Sequence, residues 1–313
     1  MASGERTAKR TLVVGGRIRR RLEAAALTVA VLGLGGCYPA AVLDPQGPVG
    51  AGEKLILLDS LAIMLAIVVP VIIATLIFAW WFRASNTKAR YLPDWAFSGR
   101  IELVVWSIPV LVIMFLGGLA WISSHDLDPA KPVPGQGKPL EVQVVSLDWK
   151  WLFIYPDQGV ASVNELVAPA GAPIHLSLTS ASVMNAFFVP QLGSMIYTMN
   201  GMVTQLYLRA DRPGAYYGLS TMYSGDGFAD MHFETRAVTP AAFAAWAQGA
   251  KATGPVLDAA AYTALSRPGT SALVTYRAVD PTLFQDILSR KQPPAPGPAN
   301  APHVIALPDR GPS

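Results

Sequence analysis

A chain of 313 residues that is 52% hydrophobic and only 14% charged is too apolar for an ordinary soluble protein, yet long enough for a membrane part and one folded domain. Its formal net charge of +3 is concentrated in Arg6, Lys9, Arg10, Arg17, Arg19, Arg20 and Arg21, which leaves the remainder slightly acidic and implies no nucleic-acid partner. The single cysteine, Cys37, excludes any intramolecular disulfide.

The basic start is followed by EAAALTVAVLGLGGC, an apolar run too short to span a bilayer comfortably and ending in small residues. It reads as a signal peptide over 1–36 with a lipoprotein-type processing site, Leu34-Gly35-Gly36-Cys37, whose cysteine would carry a fatty-acyl (palmitate-type) anchor. The competing reading is a free cysteine that ends an apolar segment. Residues 37–54 would then be a lipidated outer N-terminus.

Two segments are long enough to span: Leu55 to Trp81, with Asp59 near its start, and Ile101 to Ile122, with Glu102 at its beginning. Between them, residues 82–100 carry Arg83, Lys88, Arg90 and Arg100 against Asp94, so this loop should face the cytoplasm and both long termini should lie outside. Trp80, Trp81, Trp95, Trp106 and Trp121 sit near the span ends, as interfacial anchors do. Pro70 and Pro109 fall inside the spans, where neighbouring helices tolerate a missing donor.

A Pro/Gly-rich linker over 123–138 gives way to short β-branched and aromatic stretches: EVQVVSL, WKWLFIY, IHLSLTS, AFFVP, TQLYLRA, AYYGL and MHFETRAV. Punctuated by PDQG, APAGAP, RPG and SGDG, they predict an antiparallel β-sandwich over 139–238. From Thr239 the pattern turns helical, with Thr239 as N-cap and Pro240 at the first helical position. Two short helices are expected around Asp258 to Ser266 and Asp280 to Arg290, making 239–290 a helical C-terminal extension. Residues 291–313, which contain QPPAPGPANAPH, are too proline-rich to pack and read as a disordered tail. The fold class is therefore a two-helix transmembrane hairpin, a cupredoxin-like β-sandwich and a short helical extension.

Several long motifs, in order, carry a resemblance: Cys37 with the following LDPQGPVG, the basic inner loop, SLDWKWLFIYPDQG, SVMNAFFVPQLGSMIYTMNGM and the SGDGF loop. From about Cys37 to about Arg290 the chain resembles subunit II of the cytochrome bo-type ubiquinol oxidases, the quinol branch of the haem–copper oxidase subunit II family. In the cytochrome c branch of that family a cupredoxin domain holds two coppers through a C-x-E-x-C-x₃-H-x₂-M loop and an upstream His. Here Ser220, Met222, Ser224 and Phe228 fill the first four loop places, Asn185 stands at the upstream His, and only Met231 remains. Two thiolates and two imidazoles are missing, so no metal is expected in this chain.

The resemblance implies no catalysis by this chain alone. It implies a complex that oxidises ubiquinol, reduces oxygen to water and pumps protons, with haems and copper in a partner subunit I and with further subunits III and IV. It places the chain in a bacterial inner membrane, multi-pass and lipid-anchored at Cys37, with the C-terminal domain on the periplasmic side. It also matches IELVVWSIP to the family's second helix, whose glutamate, here Glu102, lies at the mouth of a proton pathway. On physics alone Glu102 could equally be an exposed helix-start acid favoured by the dipole. The alternatives are a copper-containing subunit II of a cytochrome c oxidase and a membrane-tethered assembly or binding lipoprotein.

Neither His125, His175, His232 nor His303 has a second ligand at metal-binding spacing, and structural or exposed roles are expected for all of them. Trp149 and Trp151 alternate with Lys150 and would share one strand face, as packing or subunit contact.

Overall fold

The computed structural model describes residues 41–90 and 92–292. The expected signal peptide, the processing site at Cys37 and the tail from residue 293 on lie outside the described residues.

Helix α1 (Pro48–Trp81) and helix α2 (Gly99–Asp126) are both long and apolar enough to cross a membrane, and no residue in the most apolar stretch of each is buried within the chain itself. Helix α1 begins well before the apolar run. Gly47 is its extended N-cap and Pro48 supplies a preset φ for its first turn. This early turn is fixed by the folded domain: Gln46 N–H donates to the Gln191 carbonyl at 2.7 Å, Gly50 N–H to the Leu192 carbonyl at 3.1 Å, and Ser194 Oγ to Glu53 at 2.7 Å. A side chain at Gly47 would collide with the Arg209 carbonyl, so glycine there permits the two backbones to meet.

The domain contains strands β1 (Leu140–Leu147), β2 (Lys150–Tyr155), β3 (Val160–Val163), β4 (Glu165–Pro169), β5 (Ile174–Ser180), β6 (Asn185–Val189) and β7 (Gly193–Thr198). It continues with β8 (Thr204–Leu208), β9 (Gly214–Ser220) and β10 (His232–Val238). The extension adds helix α3 (Pro240–Thr253), β11 (Val256–Leu257), helix α4 (Ala259–Leu265), β12 (Val274–Tyr276), β13 (Ala278–Val279) and helix α5 (Leu283–Leu288). Thr239 and Asp258 cap α3 and α4 as their sequences demand, accepting from Ala242 N–H at 3.3 Å and Ala261 N–H at 2.8 Å.

One sheet runs β12-β3-β2-β1-β5-β8 and the other β4-β10-β9-β6-β7. Between them lies a core of inward-facing residues in which Trp151, Phe153, Phe187 and Phe233 meet ring to ring, Trp151 edge-on to Phe187 at 5.3 Å and Phe187 stacked on Phe233 at 4.8 Å. Alternation along β1 and β2 sends the other residues, Val145, Leu147, Leu152 and Ile154, to a second core. There they pack against Leu257, Tyr262, Tyr276, Leu283, Phe284 and Ile287 of the extension. Around β2 the first sheet is thus covered on both faces, which is why every residue of that strand, lysine included, is buried.

Lys150 shows what that covering requires. Its Nζ donates to the Leu265 carbonyl at 3.0 Å and the Arg267 carbonyl at 2.7 Å, tying the sheet to the extension. Burial pulls its ammonium below the usual lysine range, an effect opposed by the neighbouring Asp148 carboxylate. Trp149 does not share a strand face with Trp151, contrary to the alternation expected from sequence. It occupies the β1–β2 turn with φ of 66°, and β2 starts only at Lys150.

Candidate functional site

The segment Ser220 to Met231 leaves the end of β9, passes through the short 3₁₀ turn Phe228–Asp230 and returns into β10. Its two ends are joined by the Ser220 N–H, which donates to the Met231 carbonyl at 3.1 Å. Gly225, with φ of 107°, takes the left-handed conformation that this reversal needs. Asn185 enters from β6, so two strands and one loop bring the six positions of interest together.

The two serine hydroxyls find partners within this group. Ser220 Oγ lies 3.3 Å from Asn185 Oδ1 and 3.4 Å from the Met222 carbonyl, and Ser224 Oγ lies 3.9 Å from Met231 Sδ. Asn185, Ser220, Ser224 and Met231 are all buried, Met231 within the main core, whereas Met222 and Phe228 are partly exposed. Phe228 packs edge-on against Tyr223 at 5.6 Å. Two hydroxyls, an amide, two thioethers and a phenyl ring do not fit a two-copper centre, which needs thiolates and imidazoles. Among the described residues, no group of three or more His, Cys, Asp or Glu is placed to hold a metal ion.

Trp149 closes the loop from outside. Its indole Nε1–H donates to the Ser224 carbonyl at 3.0 Å, and its ring lies so close over Gly227 that a Cβ there would overlap it. The sequence offered no signal for this contact, since it depends on the left-handed turn at Trp149.

The histidines are separate. His125 contacts the Trp121 carbonyl at 2.8 Å, His175 meets Glu141 at 2.6 Å and stacks on Tyr207, and His232 stacks on Tyr217. His303 lies outside the described residues. His232 also lines an open groove of about 730 Å³ between β9, β10 and the 270–273 loop, with Asp230 and Glu234 beside it.

Glu102 lies in the first turn of α2, the helix whose last turn carries His125. The N-cap Ser98 makes no side-chain cap there, so the carboxylate is the first acidic group at the helix start. It is exposed, and its Oε2 accepts a hydrogen bond of 3.1 Å from the indole Nε1–H of Trp106. Sequence reading placed Trp106 only as an interfacial anchor; the spacing of one helical turn was the available signal that it could meet Glu102.

Residues 158–238 match the family described as cytochrome c oxidase subunit II, periplasmic domain. Ubiquinol oxidase subunit 2 of Acetobacter aceti is 49% identical over 251 residues, covering 80% of this chain and 82% of that protein. Cytochrome bo(3) ubiquinol oxidase subunit 2 of Pseudomonas aeruginosa is 46% identical, covering 82% of this chain and 78% of its own. The protein of the same description from Pseudomonas putida is 45% identical, with 80% of each chain covered.

Proposed function

The chain belongs to the ubiquinol oxidase subunit 2 family, and from that premise we propose that it is the non-metal-binding subunit II of a proton-pumping oxidase in a bacterial inner membrane. The complex would oxidise two ubiquinols and reduce one O₂ to two H₂O, with haems and copper held by subunit I and with subunits III and IV alongside. The observation that carries the reading is the donor set. Ser220 and Ser224 stand where thiolates would be required, and their hydroxyls are already engaged by Asn185, Met222 and Met231. A copper-bearing subunit of a cytochrome c oxidase is disfavoured on the same ground.

Within this reading the loop Ser220 to Met231 persists because it closes the β9–β10 reversal and seats Trp149, so Asn185, Ser220, Met222, Ser224, Phe228 and Met231 are former ligand positions turned to packing. The purified complex should oxidise ubiquinol rapidly and reduced cytochrome c negligibly. Elemental analysis of the separated chain should find no stoichiometric copper, and two tightly held coppers would sink the proposal. Purification without any haem-bearing partner would favour a tethered binding lipoprotein instead.

Orientation follows from charge. Arg83, Lys88, Arg90 and Arg100 favour a cytoplasmic loop, with the sandwich on the periplasmic side. The mature chain should begin at a lipidated Cys37. Intact mass of the membrane-extracted subunit tests this: a chain that retains Met1, or an unmodified Cys37, overturns it. Glu102, at the cytoplasmic end of α2 in this orientation, is the residue we place at the mouth of a proton pathway continued in subunit I.

A further inference from the structure

Trp106 lies one turn beyond Glu102, and helical side chains lean back toward the helix start, so its ring covers the turn that carries the carboxylate. The resulting bond, indole Nε1–H to Glu102 Oε2, is 3.1 Å long. At about 100° of rotation per residue, these two residues fall on roughly the opposite side of α2 from Met114, Phe115, Gly118, Leu119 and Ile122. Those five line the groove shared with Asp59, Ala62 and Ile63 of α1. The pair therefore points away from the hairpin's own contact, and Trp106 is 68% exposed in the isolated chain.

Lipid tails can satisfy neither an indole N–H nor a carboxylate, so a face carrying both is costly unless protein or water covers it. Each group answers the other's need. A glutamate side chain has three torsions and would otherwise sample the loop, the headgroups and the partner surface alike; one fixed donor restricts it to a single lean.

We propose that Trp106 is the positioning residue for Glu102: its indole N–H holds the carboxylate against the α2 face that meets the partner subunit, where protons are to be delivered. This rests on the reading of Glu102 as the mouth of the pathway. Trp106 touches no substrate and acts only through the carboxylate.

The test is a double-mutant cycle on the assembled oxidase. Trp106→Phe keeps a ring and removes the N–H. It should lower quinol oxidase turnover about fivefold, within the range that misplacing a reacting group costs, at unchanged haem content. In a Glu102→Gln background the same substitution should change nothing further, because no titratable group remains to be positioned. Normal turnover of Trp106→Phe beside a slow Glu102→Gln enzyme overturns this inference and leaves Glu102 in place. An equal slowing in both backgrounds also overturns it, since the effect would then be independent of the carboxylate. Normal turnover of both single variants removes the Glu102 reading itself. Should Trp106→Phe fail to assemble, the ultraviolet resonance Raman band sensitive to indole N–H bonding is compared between native and Glu102→Leu complexes. Loss of one bonded indole supports the pair, and identical spectra overturn it.

Discussion

Oxidase carrying Glu102→Gln should assemble with its haems in place and turn over roughly tenfold more slowly than the native enzyme, less than the roughly 10²–10⁴-fold that removing a general acid or base at a reacting centre costs, because Glu102 only admits protons to the pathway. The amide preserves shape and can still accept from Trp106, so only the titratable function is removed. If Glu102 merely favoured the start of α2, the charge would contribute about 0.3–1 kcal/mol to that helix and nothing to turnover. Asp94→Asn, in the basic loop that precedes α2, provides the control and should have little effect. Oxygen consumption is measured across a range of pH at matched haem content. Native rates for Glu102→Gln throughout would take this chain out of proton uptake and leave it a structural subunit.

Trp151→Ala should be the most damaging single change in the sandwich, costing about 3–5 kcal/mol. The side chain is fully buried and makes edge contacts with Phe187 at 5.3 Å and Phe233 at 5.6 Å, so truncation opens a void at the centre of the ring cluster. Pairwise ring contacts add about 0.5–1.5 kcal/mol each beyond area. Trp151→Phe should be much milder, for a reason specific to this site. The buried Trp151 indole N–H has no hydrogen-bond partner among the described residues, so phenylalanine removes an unsatisfied donor along with part of the ring. Urea unfolding of the detergent-solubilised complex, read by pulse proteolysis of the outer domain, separates the two. Equal destabilisation by both substitutions would show that the indole N–H is satisfied and that the whole ring is needed.

Much of the architecture could be read directly because local rules and tertiary outcome agree. Continuous apolar runs produce α1 and α2; alternation in EVQVVSL and IHLSLTS produces β1 and β5; Thr239 with Pro240, and Asp258, mark true helix starts. Other parts depend on contacts distant in sequence. Strands β3, β4 and β7 are short or rich in small and polar residues, and their pairing to β2, β10 and β6 makes them strands. The early start of α1 is decided by Gln191, Leu192 and Ser194, which no local pattern announces. Lys150 stands between two tryptophans in sequence, and nothing local announces that its ammonium is bound by carbonyls more than a hundred residues later.

The candidate site divides in the same way. Which donors were missing could be read position by position from Ser220, Ser224, Phe228 and Asn185. How their polar atoms are satisfied could not, because the bonds from Ser220 to Asn185 and from Trp149 to Ser224 join separate elements. The Glu102–Trp106 bond was accessible in principle from spacing alone, but a tryptophan near a span end already has a sufficient explanation as an anchor.

Strand β12 (Val274–Tyr276), contributed by the extension, is the edge neighbour of β3 and the last strand that the first sheet receives. A nascent chain therefore emerges with most of its sandwich strands already present but with β3 unpaired on one side and Leu152 and Ile154 still open to water. An open edge beside an apolar face invites pairing with another chain, and non-local closure of this kind is slow. Biogenesis must bridge that interval, from the appearance of β10 to the arrival of Tyr276, before the domain is safe from its neighbours. Ribosomes stalled or genes truncated anywhere between Thr239 and Val274 would release a fragment whose sandwich looks nearly whole in sequence and yet presents both a vacant strand position and an uncovered face.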